Sequence, residues 1–287
     1  MEAKELKGAP VAEAIRADLR LEIERLKQAG YMPKLSVLLA GNDPGSAWYA
    51  QSKAKVGDKL GINVEVTRFA GDVREEELIR HIAGLNEDGL VHGILVELPL
   101  PKHINKTKVM NAISPLKDVD GVTAVNRGYV MGGQEDLALV PATPMSCIEL
   151  IERSGVNLKG KKVTLVGRGD TVGRPLASLL INRDATVTVC HTKTLNLAEE
   201  CRKAEIIVAA AGRKHLITSD MISQGTIVID AGINELEDGT FTGDVDYEAV
   251  KEKASAITPV PGGVGSLTTT VIMANTIKAL KLQKGLK

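Results

Sequence analysis

The chain has 287 residues, enough for one large or two medium domains, and its 36 basic and 36 acidic side chains give a formal net charge of zero. This balance gives no reason to expect nucleic acid or an anionic membrane as a partner, and an aromatic content of 2% argues against base-stacking surfaces. No apolar run approaches the ~20 residues of a membrane span and the amino terminus lacks an apolar signal core, so we expect a cytoplasmic protein.

The amino-terminal part of the chain alternates between helical and strand patterns. Apolar residues at helical spacing predict an amphipathic helix over residues 9–29, and a buried strand follows over residues 34–40. Further along, the pattern predicts helices over 46–60 and 75–86 and strands over 64–69 and 93–98. The repetition of strand and helix predicts a parallel α/β layer.

Residues 113–133 interrupt this alternation. They are rich in Pro, Gly, Asp and Asn, which is typical of irregular segments, so we expect a loop or the edge of a cleft between two domains. A helix predicted over residues 145–153 leads into the second half of the chain.

A strand, a glycine-rich turn and a helix are predicted over residues 163–180. Gly167, Gly169 and Gly173 allow the backbone to approach a phosphate, and the free N–H groups at a helix start favour an anion. The spacing is one residue longer than the usual dinucleotide fingerprint. An ordinary turn that needs glycine for its backbone angles is therefore an alternative.

The strand predicted over residues 185–190 lies roughly 20 residues further on, where a dinucleotide-binding unit reads the ribose. His191, Thr192 and Lys193 follow this strand in place of an acid, and Arg168 lies in the glycine turn. Cationic and hydroxyl side chains suit a 2′-phosphate, so the sequence favours NADP over NAD. The alternative is that Lys193 is only a solvated charge.

The last part of the chain predicts two more strands, over residues 206–210 and 226–230. Residues 258–265 are too rich in Pro and Gly for regular structure, and a closing helix is predicted over residues 269–282.

Five polar residues are candidates for chemistry. Tyr49 and Lys53 are four residues apart and share a helix face, where a lysine can act as a base or stabilise charge, or simply lie on the surface. Asp118 and Asp120 flank a turn and could cap a helix, bind a cation or accept two N–H bonds from a heterocycle. Glu97 is an acid among apolar neighbours at the end of a strand, where α/β folds place ligands.

No metal site is expected. The three cysteines form no CxxC pair, and the five histidines show no metal-ligand spacing.

Nine segments, in this order along nearly the whole chain, resemble the bifunctional methylenetetrahydrofolate dehydrogenase/methenyltetrahydrofolate cyclohydrolase family. They are NDPGSAWYAQSKAK, GILVELPLP, SPLKDVDG, PATP, GRGDTVGRPLASLL, TVTVCHTKT, AGIN, GDV and TPVPGGVGSLTTT. The resemblance implies an α/β fold of two domains with a cleft between them. It implies a folate-binding catalytic domain over residues 1–139, joined by a carboxy-terminal helix over 268–287, and a Rossmann-like NAD(P)-binding domain over 140–267. It also implies a homodimer.

The activity that the resemblance implies has two steps. Methylenetetrahydrofolate is oxidised to methenyltetrahydrofolate with NADP, and water then converts this product to 10-formyltetrahydrofolate. The implied catalytic set is Tyr49, Lys53, Glu97 and Asp120. In this set, Lys53 would assist the hydrolysis, Tyr49 would orient the folate and Asp120 would bind the pterin.

The resemblance also assigns binding residues for substrate and cofactor. Pro261, Gly262 and Gly263 would line the folate site. The residues that would contact NADP are Gly167, Arg168, Gly169, Thr192 and Ile233.

Four positions depart from the family pattern. Glu97 replaces the usual Gln, and an ionised carboxylate beside Lys53 would favour the protonated lysine. This leaves open a dehydrogenase with weak or absent cyclohydrolase activity and, in another class, a non-catalytic folate- or nucleotide-binding protein. Gly169 and Thr192 replace serines, and Ser266 replaces a proline.

Overall fold

The computed structural model of the protein describes residues 3–286. None of the helices in this range is long and apolar enough to cross a membrane. The described chain divides into two compact units. The three-stranded unit comprises Ala14–Ala142 and the residues from Thr269 onward, and the six-stranded unit comprises the described residues up to Glu13 and Thr143–Thr268.

The strands are short and are distributed along the whole described chain. Between residues 3 and 286 they are β1 (Lys4–Glu5), β2 (Lys34–Ala40), β3 (Asn63–Phe69), β4 (Gly93–Val96), β5 (Lys162–Val166), β6 (Thr186–Cys190), β7 (Ile206–Ala209), β8 (Ile227–Asp230), β9 (Asn234–Glu235), β10 (Phe241–Thr242) and β11 (Ala256–Ile257).

The helices alternate with the longer strands, and Ser219–Met221 forms a single 3-10 turn. In the same range the α-helices are α1 (Gly8–Gln28), α2 (Pro44–Leu60), α3 (Glu75–Glu87), α4 (Lys106–Asn111), α5 (Ala124–Met131), α6 (Ala142–Arg153), α7 (Gly173–Ile181), α8 (Leu197–Arg202), α9 (Tyr247–Val250) and α10 (Gly265–Lys284).

The three-stranded unit is built on a parallel sheet in the order β3-β2-β4. Strand β2 is central, and its apolar residues from Leu35 to Ala40 are buried, as expected for a strand covered on both faces. Leu78 and Ile82 of α3 pack in one core with Leu38 of β2 and Ile94 of β4. This packing buries the continuous apolar runs of the strands and leaves their carboxyl ends at one edge.

The six-stranded unit contains a parallel sheet in the order β1-β11-β8-β7-β5-β6. Strands β8 and β7 are central and nearly all of their residues are buried. Helix α7 connects β5 to β6, which is the arrangement of a dinucleotide-binding unit. The expected α/β fold with a Rossmann-like second domain is therefore confirmed.

The residues up to Glu13 lie in the six-stranded unit, whereas the family resemblance implies that they belong to the folate-binding domain. The cause is β1, which pairs with β11 in parallel register. Leu6 N also donates to Ile257 O at 2.8 Å, which extends this pairing toward the start of α1.

The structure differs most from the sequence-based expectation within residues 113–133. A loop was expected there, but the segment contains helix α5. Thr123 caps α5 through its hydroxyl, which accepts from Asn126 N, and the buried carboxylate of Asp118 accepts from Val122 N and Thr123 N. Hydrogen bonds to the side chains of Asp118 and Thr123, which precede α5, therefore stabilise a helix whose own sequence has low helix propensity.

Candidate active site

A buried ion pair lies at the carboxyl edge of the three-stranded sheet. Lys53 of α2 and Glu97, the residue after β4, approach to 2.8 Å between Nζ and Oε1. The two side chains are only 8% and 9% exposed, respectively. Breaking such a pair typically costs ~3–5 kcal/mol, because the partner charge is left buried without compensation.

Helix α2 is fixed at both ends, which places Lys53 against Glu97. Asp43 caps its start by accepting from Ser46 N at 2.7 Å, and the Ser46 hydroxyl lies 2.9 Å from Leu98 O in the segment that follows Glu97. In the second half of the helix, Gly57 packs so closely on β3 that a Cβ there would collide with Val64.

Tyr49 lies one turn before Lys53 on the same face of α2. The Lys53 ammonium is 5.5 Å from the centre of the Tyr49 ring, and the Trp48 ring meets Tyr49 edge to face at 5.1 Å. Tyr49 is 41% exposed, so an aromatic face beside a buried charge is available to a planar ligand.

Asp120 is brought to this pair by the segment that runs beside β4. Ile94 N donates to Lys117 O at 2.7 Å, and Ile94 and Asp118 form an isolated parallel β-bridge. The segment that contains Asp120 therefore runs along β4, the strand that ends just before Glu97. Burial, reinforced by the charge of Asp118, raises the pKa of Asp120 to about 7, although the charge on Lys53 acts in the opposite direction.

Asp118 has a structural role that differs from the role predicted for Asp120. Its side chain is fully buried, and it accepts from Val122 N, Thr123 N and Asn126 Nδ2 at 2.8–3.0 Å. Of the alternatives considered for these two acids, local capping therefore describes Asp118. The turn has no spare room, since Gly121 has φ +67° and a Cβ there would collide with Leu139 O.

The phosphate-binding turn predicted from the sequence lies in the six-stranded unit, between β5 and α7. Gly167 has φ +124°, and a Cβ there would collide with Ala210 O, while a Cβ on Gly173 would collide with Gly167 O. The turn is thus a cradle of bare backbone at the start of a nine-residue helix, which fits the phosphates of a dinucleotide. In contrast, a Cβ on Gly169 would meet open space, so sterics do not require glycine there.

The other predicted cofactor residues follow three strands of the same sheet. Arg168 follows β5, Thr192 follows β6 and Ile233 follows β8, and all three side chains are exposed at the carboxyl edge. The turn that carries Thr192 is ordered by two bonds, because His191 N donates to Thr194 Oγ1 at 2.8 Å and Lys193 N donates to His191 Nδ1 at 3.1 Å.

Pro261, Gly262 and Gly263 also belong to the six-stranded unit. Gly8 N donates to Gly262 O at 2.8 Å, and a Cβ on Gly263 would collide with Pro259 O. Pro261 and Gly262 are exposed. The structure thus groups Tyr49, Lys53, Glu97 and Asp120 in one unit and the predicted cofactor residues with this turn in the other.

The described residues contain no cluster of His, Cys, Asp and Glu that could hold a metal ion. Cys147, Cys190 and Cys201 are free and buried, and burial raises the pKa of Cys147 and of Cys201 to about 12. These two thiols are therefore protonated at neutral pH and do not offer a nucleophile.

Sequence reasoning missed the importance of Asp230 and Asp244. Both are buried and hydrogen-bonded to several loops at the carboxyl edge of the six-stranded sheet. The GDV segment was part of the family resemblance, but its partners are distant in the sequence and no spacing rule points to them.

Two family models match the chain along most of its length. The tetrahydrofolate dehydrogenase/cyclohydrolase catalytic domain matches residues 6–120, and the NAD(P)-binding domain of the same family matches residues 141–284. A protein of Heliobacterium modesticaldum named bifunctional protein FolD is 54% identical over 286 residues, which cover 100% of this chain and 99% of the relative.

Solved structures agree with these matches. The bifunctional enzyme FolD, a methylenetetrahydrofolate dehydrogenase/cyclohydrolase from Campylobacter jejuni, has 42% identity and a TM-score of 0.95 over 98% of this chain and 99% of its own. The Trypanosoma brucei enzyme, complexed with NADP cofactor and inhibitor, has 37% identity and a TM-score of 0.93 over 98% of both chains. With this similarity along almost its entire length, the chain belongs to the tetrahydrofolate dehydrogenase/cyclohydrolase family.

Proposed function

We propose that this chain oxidises 5,10-methylenetetrahydrofolate to 5,10-methenyltetrahydrofolate with NADP and then hydrolyses the product to 10-formyltetrahydrofolate. The observation that carries the proposal is the buried pair of Lys53 and Glu97, 2.8 Å apart, with the ring of Tyr49 next to it. The carboxyl of Asp120 lies close enough to interact with the charges of both residues. Family membership supplies the substrate and the order of the two reactions.

In the oxidation, this chain's residues hold the folate and stabilise the charge that develops on it. NADP, when bound, supplies the hydride acceptor. Tyr49 offers an aromatic face to the substrate, and ionised Asp120 accepts N–H bonds from the pterin. Loss of hydride leaves positive charge on the bridging carbon, and the carboxylates of Glu97 and Asp120 favour that charge electrostatically.

In the hydrolysis, Lys53 transfers the proton. The neutral amine accepts a proton from the attacking water and returns it to the leaving nitrogen, as a general base and then a general acid. The methenyl carbon is already electrophilic, so the residues need only position the water and move this proton.

Two alternatives are less well supported. A dehydrogenase without cyclohydrolase activity is disfavoured by relatives that are named bifunctional at about half sequence identity. A non-catalytic folate- or nucleotide-binding protein would have no need of a buried, charged lysine beside the exposed face of Tyr49.

We infer that the preferred cofactor is NADP rather than NAD. The glycine cradle around Gly167 suits the pyrophosphate, and Arg168, Thr192 and Lys193 are exposed at the edge where a 2′-phosphate would lie. The related Trypanosoma brucei structure was determined with NADP. Gly169 contributes no hydroxyl, so the phosphate contacts depend on the other side chains.

We further propose a homodimer and a cytoplasmic location. Strand β6 is at the end of the six-stranded sheet, where its outer backbone groups and the 39% exposed Val189 can pair with a second copy. Light scattering should then give twice the chain mass of 30.5 kDa. The free, buried thiols suit a reducing compartment, and localisation of a tagged copy checks this point.

The test of the proposed function is turnover of 5,10-methylenetetrahydrofolate with NADP and, in parallel, with NAD. We expect reduced cofactor and 10-formyltetrahydrofolate in equal amounts, with a higher kcat/KM for NADP. Absence of reduced cofactor with both nucleotides would overturn the oxidation, and persistent methenyl product would overturn the hydrolysis.

A further inference from the structure

The carboxylate of Asp244 connects two loops of the six-stranded unit. The side chain is completely buried, and its Oδ2 accepts from Ala211 N at 2.6 Å and from Gly212 N at 2.9 Å. Its Oδ1 accepts from Arg213 N at 2.8 Å and from Asn234 Nδ2 at 2.9 Å. Four N–H donors from two separate segments therefore meet at one carboxylate, which stabilises its charge away from water.

Asp230 at the end of β8 extends this arrangement. Its carboxylate is also buried and accepts from Gly232 N at 2.9 Å, Asp244 N at 3.1 Å and Val245 N at 2.9 Å. A Cβ on Gly232 would collide with the Asp244 carboxyl group. Asp230 thus fixes the backbone of the residue whose side chain holds the loops, and the segment between them has no room for a larger residue.

Both loops adjoin residues that the family resemblance assigns to the cofactor. The segment Ala211–Arg213 directly follows Ala210, whose carbonyl oxygen is the atom that leaves no space for a Cβ on Gly167. Ile233 lies between Gly232, which is bonded to Asp230, and Asn234, which is bonded to Asp244. The position of the phosphate cradle and of Ile233 is therefore set by the same pair of buried acids.

We propose that Asp244 is a positioning residue for NADP, which it does not touch, and that it acts by holding the 211–213 turn and the Ile233 loop in their binding geometry. The proposal rests on the proposed function, because it assumes that Gly167 and Ile233 contact the cofactor. An asparagine at this position keeps the shape but has one acceptor oxygen instead of two, so it cannot bond all four N–H groups.

The experiment compares NADP binding to the full chain with and without the Asp244→Asn substitution. Calorimetric titration should show the Kd for NADP increased at least tenfold, and the KM for NADP should increase by a similar factor. The rate of methenyltetrahydrofolate hydrolysis, which consumes no NADP, should stay within twofold of the wild type. Hydrogen exchange of the free protein should be faster at the amides of residues 211–213.

The matched control is Asp246→Asn, the same substitution two residues further on. Asp246 caps α9 through a bond from Ala249 N, and asparagine caps a helix as well as aspartate does, so NADP binding should not change. If Asp244→Asn does not fold, Asn234→Ala replaces it. This change removes only the donor from the Ile233 loop and should weaken NADP binding severalfold.

Several results would overturn the proposal. One is an unchanged Kd for NADP in Asp244→Asn, and another is an equal loss of NADP binding and of hydrolysis in that variant. If only Asn234→Ala folds, an unchanged Kd for NADP in Asn234→Ala would overturn the proposal. A wild-type chain that binds no NADP would instead contradict the proposed function, and this is measured before any variant is compared.

Discussion

At the scale of single residues, the charge of Glu97 has the largest consequence for the chemistry. A neutral side chain of the same shape could still bond to Lys53, but Glu97 adds a negative charge 2.8 Å from Nζ at a position that is almost fully buried. Charges at this separation interact much more strongly in a protein interior than at the surface. Glu97 therefore holds Lys53 in a buried ion pair and, in the proposed mechanism, stabilises a cationic folate.

The first prediction concerns Glu97→Gln. Glutamine can still accept a bond from Lys53 Nζ but offers no ionic attraction, so the amine is held less tightly and kcat for methenyltetrahydrofolate hydrolysis should rise severalfold. Glu65→Gln is the control, because Glu65 pairs with Lys34 at the same 2.8 Å but is 58% exposed. An unchanged kcat in Glu97→Gln would contradict the role given to this pair.

The second prediction follows from the raised pKa of Asp120, which lies near 7 because of burial and the neighbouring charge of Asp118. Below this pH the carboxyl is neutral and loses one acceptor for the pterin, whereas above it the carboxylate is available. The Kd for tetrahydrofolate should therefore increase as the pH falls from 8 to 6, by up to about tenfold per unit below the pKa.

Equilibrium titration of the wild type and of Asp120→Asn over this pH range checks the assignment. The variant should bind more weakly but with much less dependence on pH, because its amide does not titrate. A wild-type Kd that is constant between pH 6 and 8 would show that Asp120 does not control folate binding through its ionisation.

At the scale of elements, long and strongly patterned segments could be predicted from the sequence. Strand β2 has the predicted limits because a short, mostly apolar run is typical of a strand that is buried on both faces. Helix α5 could not be predicted, since its eight residues depend on bonds from Asp118 and on the Thr123 cap. Strands of two residues, such as β1 and β11, exist only because the partner strand is present.

The candidate site shows the same division between local and long-range information. The shared face of Tyr49 and Lys53 follows from their spacing on one helix, and the phosphate turn follows from its glycines. The contact of Lys53 with Glu97 joins residues 44 positions apart, and no local pattern gives it. Local rules do not give the contacts of Asp244 either, because its donors come from residues 31 to 33 positions earlier and from Asn234.

The third prediction contrasts two glycines of the phosphate turn. Gly167→Ala places a Cβ against Ala210 O at a positive φ, so the turn must move and NADP binding should weaken at least tenfold. Gly169→Ala meets no protein atom within 4 Å, so the turn keeps its shape and NADP binding should weaken much less than in Gly167→Ala. Titration with NADP compares the two variants. Equal affinity in both would mean that the bare backbone at Gly167 is not part of the cofactor cradle.

At the scale of the whole molecule, the two reactions make different demands on the two units. The predicted cofactor residues lie in the six-stranded unit, whereas Lys53, Glu97 and Asp120 lie in the three-stranded unit. In the proposed mechanism, oxidation uses the cofactor residues of one unit and the folate residues of the other. Hydrolysis consumes water and no nucleotide, so the proposed proton transfer uses Lys53 of the three-stranded unit. A substitution at Lys53 should therefore abolish the second reaction and leave the first.

The measurement that tests this account most directly follows NADPH and methenyltetrahydrofolate together in one reaction, for the wild type and for Lys53→Met. The wild type should form NADPH with little accumulation of the methenyl product, whereas Lys53→Met should form NADPH and methenyl product in nearly equal amounts. Lys55→Met, on the exposed side of the same helix, should behave as the wild type does. Hydrolysis at the wild-type rate in Lys53→Met would contradict the central claim, as would the absence of NADPH in the wild type.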